Sequence, residues 1–259
     1  MNIAERQTEY ERRGFSRETA AINVLLEETL RILFASFPDT FVFFGGASLV
    51  LFYGSPRHSG DLDLLTTVDV PPSVQELEAV LSTPLSDAAA SVGYEDLTIT
   101  PARTAGEFLK LAVSSAGRVL FTIDVTRVTA VIKSELVALP LALDPITVSV
   151  PSRALELLFK AEAFLKRSVL KARDAFDIKL LMDSGAVLSP NLKAHLADGP
   201  AEDRLEDPKF IADRIGRVDS RTCKPELQPY LPEQIYRELE KEDFKSLRRA
   251  LTELFGEWL

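Results

Sequence analysis

The sequence predicts an α+β protein in which a small mixed β-sheet with flanking helices is followed by a mostly helical C-terminal half. Three observations point that way. Apolar residues recur at helical spacing through the first forty positions, and short strand-like runs bounded by glycine and proline fill the stretch from 38 to 150. Beyond Pro151 the helical spacing returns almost without a break. The expected division is therefore residues 1–150 and 151–259.

Each element follows from its residues. Ser16 can cap a helix whose apolar positions Ala20, Val24, Leu25, Ile32 and Leu33 share a face. The aromatic run Phe41–Phe44 stops at Gly45-Gly46, as a buried strand entering a tight turn does. Ala47–Tyr53 reads as a short helix ending near Gly54, and Leu62–Thr66 as the next strand. After Pro71-Pro72 a helix is expected from Val74 to about Ala90. Strands are then expected at Leu97–Thr100, Phe108–Ser114, Val119–Val125 and Ile146–Val150. Ser152 can cap a helix reaching about Ser168, and Ala172–Ser184 forms another, closed by Gly185. Weaker helices are expected at Asn191–Ala197, Asp203–Ile215 and Pro232–Leu259, the last bearing Phe255 and Trp258 on a face that packs inward or meets a partner.

Composition narrows the classes of function. With 259 residues, 46% hydrophobic and 27% charged, the chain can bury a substantial core without a metal or disulfide staple. The single cysteine, Cys223, permits no internal disulfide, which fits a reducing compartment. The first fifteen residues carry no apolar signal-like region, and no stretch approaches the roughly 18 apolar residues of a spanning helix. No membrane association and a cytoplasmic location are expected. A net charge of −9 argues against indiscriminate coating of nucleic acid, because an acidic surface repels phosphate backbones.

The chemistry concentrates in GGASLVLFYGSPRHSGDLDLL, residues 45–65. Side chains alternate along a strand, so Asp61 and Asp63 face the same way. Two carboxylates this close repel unless a cation lies between them or one takes a proton. A hard divalent ion such as Mg²⁺, which also binds nucleotide phosphates, answers that need. The competing reading is a strand-end turn whose two acids face water. Context separates the two. Gly45-Gly46 offers backbone N–H groups at a strand-to-helix turn, a phosphate-binding geometry. Ser48 and Ser59 can add hydroxyls and Arg57 a charge. A third carboxylate, Asp124, sits within the apolar strand RVLFTIDVTRV, where an unpaired charge is costly. Either it pairs with Arg127 or Arg118, or it completes a three-carboxylate metal site with Asp61 and Asp63.

A second constellation spans Leu157 to Met182. Lys160 shares a helix face with Leu157 and Phe164, so its stem lies along apolar surface or its ammonium reaches a triphosphate. Six basic residues between Lys160 and Lys179 outnumber three acids, which makes this the best anion-binding candidate in an acidic chain. Asp174 is open to a structural reading as a helix-start acid in an ion pair and to a catalytic one. Arg173 is spaced to pair with Asp177.

The motifs GGASLVL, RHSGDLDL, FTIDV and KARDAFDIKLL together resemble the AbiEii/AbiGii-type nucleotidyltransferases, toxin halves of abortive-infection toxin–antitoxin pairs in the polymerase-β-like superfamily. The resemblance spans roughly residues 20 to 185. It implies a small nucleotidyltransferase sheet domain, a helical C-terminal domain and a cleft between them. It also implies that Asp61 and Asp63 bind metal and that Gly45, Gly46 and Ser48 position phosphates. Lys160 resembles the family's lysine near the triphosphate, although Lys166 with either Lys160 or Lys171 approximates the family's lysine pair. Asp174 and Asp177 match its R-D-x-x-D helix, whose acid is needed for activity. Asp124 is placed by the strand pattern rather than by the family.

The expected function is Mg²⁺-dependent transfer of a nucleotide from a nucleoside triphosphate to an acceptor, the 3′ end of tRNA, in a toxin with a cognate antitoxin. Two alternatives stand beside it. One is the same chemistry on a small-molecule or protein acceptor, and the other is a catalytically silent module that binds nucleotide or a partner.

Overall fold

The computed structural model describes residues 2–106, 108–128, 132–141, 146–199 and 201–259. The chain divides into two compact units, Met1–Pro151 and Ser152–Leu259.

The first unit opens with two helices, α1 (Ile3–Arg12) and α2 (Arg17–Ser36). Asn2 and Glu5 close a capping box on α1, and Ser16 accepts from the Thr19 N–H to start α2. Then come β1 (Val42–Phe44), α3 (Gly45–Phe52), β2 (Asp61–Thr66) and α4 (Val74–Ser91). Strands β3 (Leu97–Ala105), β4 (Phe108–Ser115) and β5 (Arg118–Arg127) follow, and β6 (Leu136–Pro140) and β7 (Thr147–Pro151) end the unit. Five strands form one mixed sheet in the order β1-β2-β5-β4-β3, in which β2 and β5 run parallel; β6 and β7 make a separate two-stranded ribbon.

Alternation gives the main sheet two different faces. Leu62, Leu64, Leu111, Val113, Phe121, Ile123 and Val125 project to one side and pack against Leu25, Leu26, Leu30 and Leu33 of α2 and Leu77, Leu81 and Leu85 of α4. Truncating one of these leucines to alanine costs about 2–5 kcal/mol, the usual transfer-plus-cavity loss. Residues 61, 63, 110, 122 and 124 fall on the opposite side, so the core face and the polar face are specified by the same alternation.

Every regular element among the described residues of the second unit is a helix. Helices α5 (Arg153–Lys166) and α6 (Ala172–Asp183) lead, followed by α7 (Pro190–Ala197), α8 (Glu202–Leu205), α9 (Pro208–Gly216), α10 (Ser220–Leu227), α11 (Glu233–Lys241) and α12 (Lys245–Leu254). Phe255 is fully buried and stacks on Phe164 with ring centroids 5.8 Å apart, so the C-terminal aromatic packs inward.

Three expectations need correction. The helix expected over Asp203–Ile215 is two, because Asp207 caps a new start whose first residue is Pro208. The helix expected over Pro232–Leu259 is also two, broken where Asp243 and Phe244 both take positive φ (53° and 55°). Strand β6 and helix α10 were not anticipated: LVALP is short and mostly exposed, and α10 carries Pro225.

Candidate active site

The strand-turn-helix β1–α3 sets the geometry. Gly45 follows β1 directly and takes φ +85°, which turns the chain from strand into helix. A Cβ on Gly45 would stand 2.5 Å from Asp63 Oδ2, and a Cβ on Gly46 would stand 2.6 Å from both Arg57 Nη2 and Ser59 Oγ. Both glycines are therefore required by close approach, and the second of the two acids, Arg57 and Ser59 converge on this turn. Arg57 and Ser59 are buried, and Arg57 Nη1 donates to the His58 carbonyl at 3.0 Å. Ser48, expected as a phosphate donor, is buried and donates its hydroxyl to the Gly45 carbonyl at 2.9 Å. It braces the turn.

Asp61 and Asp63 lie on the polar face of β2 at its N-terminal end, Asp61 exposed and Asp63 half-buried. Asp63 is in register with Phe44 on β1 and with Asp124 on β5, and Asp61 is in register with Thr122. Thr122 Oγ1 donates to Asp61 Oδ1 at 2.8 Å. The expected juxtaposition of the three acids on adjacent strands is thus present. Their engagement differs from expectation. Asp124 pairs with neither Arg118 nor Arg127, which bind Glu18 and Asp69. Its Oδ2 accepts from Lys110 Nζ at 2.8 Å, and its buried Oδ1 has no hydrogen-bond partner among the described residues. Nor do three or more His, Cys, Asp and Glu side chains gather into a group able to hold a metal among those residues. Asp61 and Asp63 present carboxylate oxygens of the type a hard divalent cation takes, and the Gly45 cradle leaves room beside Asp63 that any side chain would fill. This pair fits such an ion.

Lys110 is the functional candidate that sequence reasoning missed. Burial works against its charge, but the hydrogen bond to Asp124 and the charges of Asp124, Asp61 and Asp63 outweigh it and hold the ammonium above the ordinary lysine value. Its register opposite Asp124 arises from a bulge. The β4–β5 hairpin turns at Ala116-Gly117, both with positive φ, and pairs Ser115 with Arg118 and Ser114 with Val119. Leu120 is then an extra residue, and Val113 pairs with Phe121. Were the ladder regular, with Leu120 paired to Val113, Lys110 would oppose Ile123 and not the carboxylate.

In the second unit, Lys160 of α5 and Asp177 of α6 form a buried ion pair, Nζ to Oδ2, at 2.9 Å, with Asp177 side-chain exposure of 0%. Arg167 pairs with the buried Asp174 at 3.1 Å. Arg173 does not pair with Asp177 as its spacing suggested; it meets Glu226, as does Lys171, and stacks over Tyr230. Lys179 pairs with Asp183. Five of the six basic residues expected to form an anion-binding surface are therefore held in ion pairs within this unit. Among the described residues no helix is long and apolar enough to cross a membrane.

Similarity to known proteins bears on this arrangement. No curated protein sequence matches the chain. Two crystal structures from Helicobacter pylori share its fold. One, assigned to the nucleotidyltransferases, is 15% identical with a TM-score of 0.58, covering 94% of this chain and 97% of that one. The other, JHP933, is 16% identical with a TM-score of 0.56 and covers 94% of each chain. MenT4, a nucleotidyltransferase toxin of Mycobacterium tuberculosis, is 19% identical with a TM-score of 0.46 over 85% of this chain and 71% of its own. The family pattern that matches residues 30–255 is described as "Nucleotidyl transferase AbiEii toxin, Type IV TA system". This chain belongs to the AbiEii family, the nucleotidyltransferase toxins of type IV toxin–antitoxin systems.

Proposed function

We propose that the chain transfers a nucleotide from a nucleoside triphosphate to the 3′-terminal hydroxyl of tRNA, acting in the cytoplasm under the control of a cognate antitoxin. The observation that carries this reading is the convergence of Asp63, Arg57 and Ser59 on the Gly45-Gly46 turn, beside Asp61 and Asp124 on one sheet face. In transfer, the acceptor oxygen forms a bond to the α-phosphorus while the bond from that phosphorus to the bridging oxygen of the β-phosphate breaks, releasing pyrophosphate; the hydroxyl proton must leave the acceptor.

We assign the first unit, residues 1–151, as the nucleotidyltransferase domain and the remainder as the helical C-terminal domain. Asp61 and Asp63 would hold magnesium, which when bound neutralises phosphate charge. The backbone at Gly45 and Gly46 would approach the phosphates, Arg57 would add positive charge, and Ser59 a hydroxyl. Ser48 keeps the turn in shape through the Gly45 carbonyl. Asp124, whose Oδ1 has no hydrogen-bond partner among the described residues, would take the hydroxyl proton. The family resemblance supports Lys160, Asp174 and Asp177 as residues that transfer also needs. Membership in a toxin family supports an acceptor essential to the cell, as the 3′ end of tRNA is.

The test is incubation of the purified protein with Mg²⁺, each α-labelled nucleoside triphosphate in turn and total tRNA. Asp61→Asn and Asp63→Asn should each reduce label on tRNA by about a thousandfold, the loss of several kcal/mol of charge stabilisation, with the fold intact by circular dichroism. Label that persists in either variant sinks the mechanism. Label on a protein or small molecule instead keeps the chemistry and replaces the acceptor.

A further inference from the structure

The polar face of the sheet carries more negative charge than one acidic pair, and one of its cations is built in. Asp61, Asp63 and Asp124 stand on two adjacent strands, with Asp63 and Asp124 directly in register. Lys110 enters the same face from the third strand and binds Asp124 Oδ2 at 2.8 Å. It feels the charges of Asp61 and Asp63 as well. The pair is not an ordinary surface contact: the Lys110 and Asp124 side chains are only 30% and 16% exposed, so solvent screens them less than a rim pair.

We propose that Lys110 is a fixed cation of the active site, occupying the position against Asp124 that a second metal ion would take, so that the centre binds a single divalent ion through Asp61 and Asp63. This rests on the nucleotidyltransferase reading of that site. Charge supports the assignment. One ammonium and one divalent ion neutralise three carboxylates in full, whereas a second divalent ion beside the ammonium would leave the bare site positive. Chemistry supports it too. An ammonium donates hydrogen bonds and accepts none, so it binds Asp124 as a cation would, and its charge at Oδ2 repels a divalent ion from the same carboxylate. Asp124 is left with Oδ1, which has no hydrogen-bond partner among the described residues. Lys110 is in these terms a positioning residue: it fixes Asp124 on its strand and holds it outside metal coordination.

The test is the number of Mn²⁺ ions bound per chain in the absence of nucleotide, read from the spin-resonance signal of the free ion. Lys110→Met should bind one ion more than the wild type, and Lys110→Met/Asp124→Asn should lose that extra ion. Lys110→Arg, which restores the charge, should bind as the wild type does. Equal numbers in the wild type and Lys110→Met overturn the proposal, as does an extra ion that survives the Asp124→Asn change. Transfer assayed on the wild type and Asp63→Asn separates this outcome from the underlying reading. Asp63-dependent transfer with unchanged ion counts removes only the role of Lys110, while absence of Asp63-dependent transfer removes the reading itself.

Discussion

Gly45 illustrates how much one residue is asked to do. It adopts a backbone conformation that costs other residues about 1–2 kcal/mol, and it leaves Asp63 the space a side chain would occupy. Gly45→Ala should therefore lower unfolding stability by at least about 1–2 kcal/mol and displace the Asp63 carboxylate. Urea melts should show the first effect and weakened Mn²⁺ binding the second; a variant with normal metal binding would show that the glycine serves the turn only. Lys160 and Asp177 pose a different question, because a buried ion pair has a structural role whatever its catalytic one. Asp177→Ala should cost about 3–5 kcal/mol by stranding the lysine, and Lys160→Met/Asp177→Leu should recover most of that loss. If the double variant is as unstable as the single one, the charge pair is not what the site depends on. The glycines and the Asp61/Asp63 pair were legible in the sequence because strand alternation and left-handed backbone are local properties. Lys110 was not, because its facing Asp124 depends on Leu120 being bulged out of the pairing in the partner strand.

Among elements, α1 and α2 are joined by a polar cluster within an apolar seam. Tyr10 donates to Glu27, Arg6 reaches both Glu27 (3.3 Å) and Glu28, and Arg31 binds Glu28 at 2.8 Å. The two acids respond oppositely. Burial pushes the Glu27 carboxyl above its ordinary 4.5, despite Tyr10 and Arg6. Burial also acts on Glu28, but the bonds to Arg6 and Arg31 outweigh it and hold that carboxyl below 4.5. A raised acid contributes stability that is fully present below its unfolded value and is lost as pH rises through the folded one. A lowered acid contributes stability present above its unfolded value and lost as pH falls. The Glu27 effect therefore lies above pH 4.5 and the Glu28 effect below it. The stability of the wild type relative to Glu27→Gln should decline as pH rises above 4.5, measured by urea unfolding at successive pH values. A difference independent of pH in that range would show that Glu27 is not the buried, protonation-sensitive group. In the second unit, the break between α11 and α12 had no clear sign in KEDFK: neither residue with positive φ is a glycine, and Phe244 is fully buried. Packing of that ring holds a backbone conformation that local preference opposes.

Across the molecule, local patterns and long-range contacts divided the work. Helical spacing, capping residues, strand alternation and the two glycines are enough to place α2, α4, α5, α6 and the sheet strands, and to put Asp61 and Asp63 on one face. Those features depend on steric and solvation preferences within a few residues, which a single chain displays directly. The partners of the charged groups were another matter. Asp124 chose Lys110 over two nearby arginines, Asp177 chose Lys160 over Arg173, and Glu226 gathered Lys171 and Arg173. Several such pairings are close in energy when only spacing is considered, and the choice falls to the register of strands and the packing of helices far apart in sequence. The kind of chemistry was therefore written locally in the chain, while the partners of its charged groups, Lys110 with Asp124 and Lys160 with Asp177 among them, were settled by which distant elements the fold brings side by side.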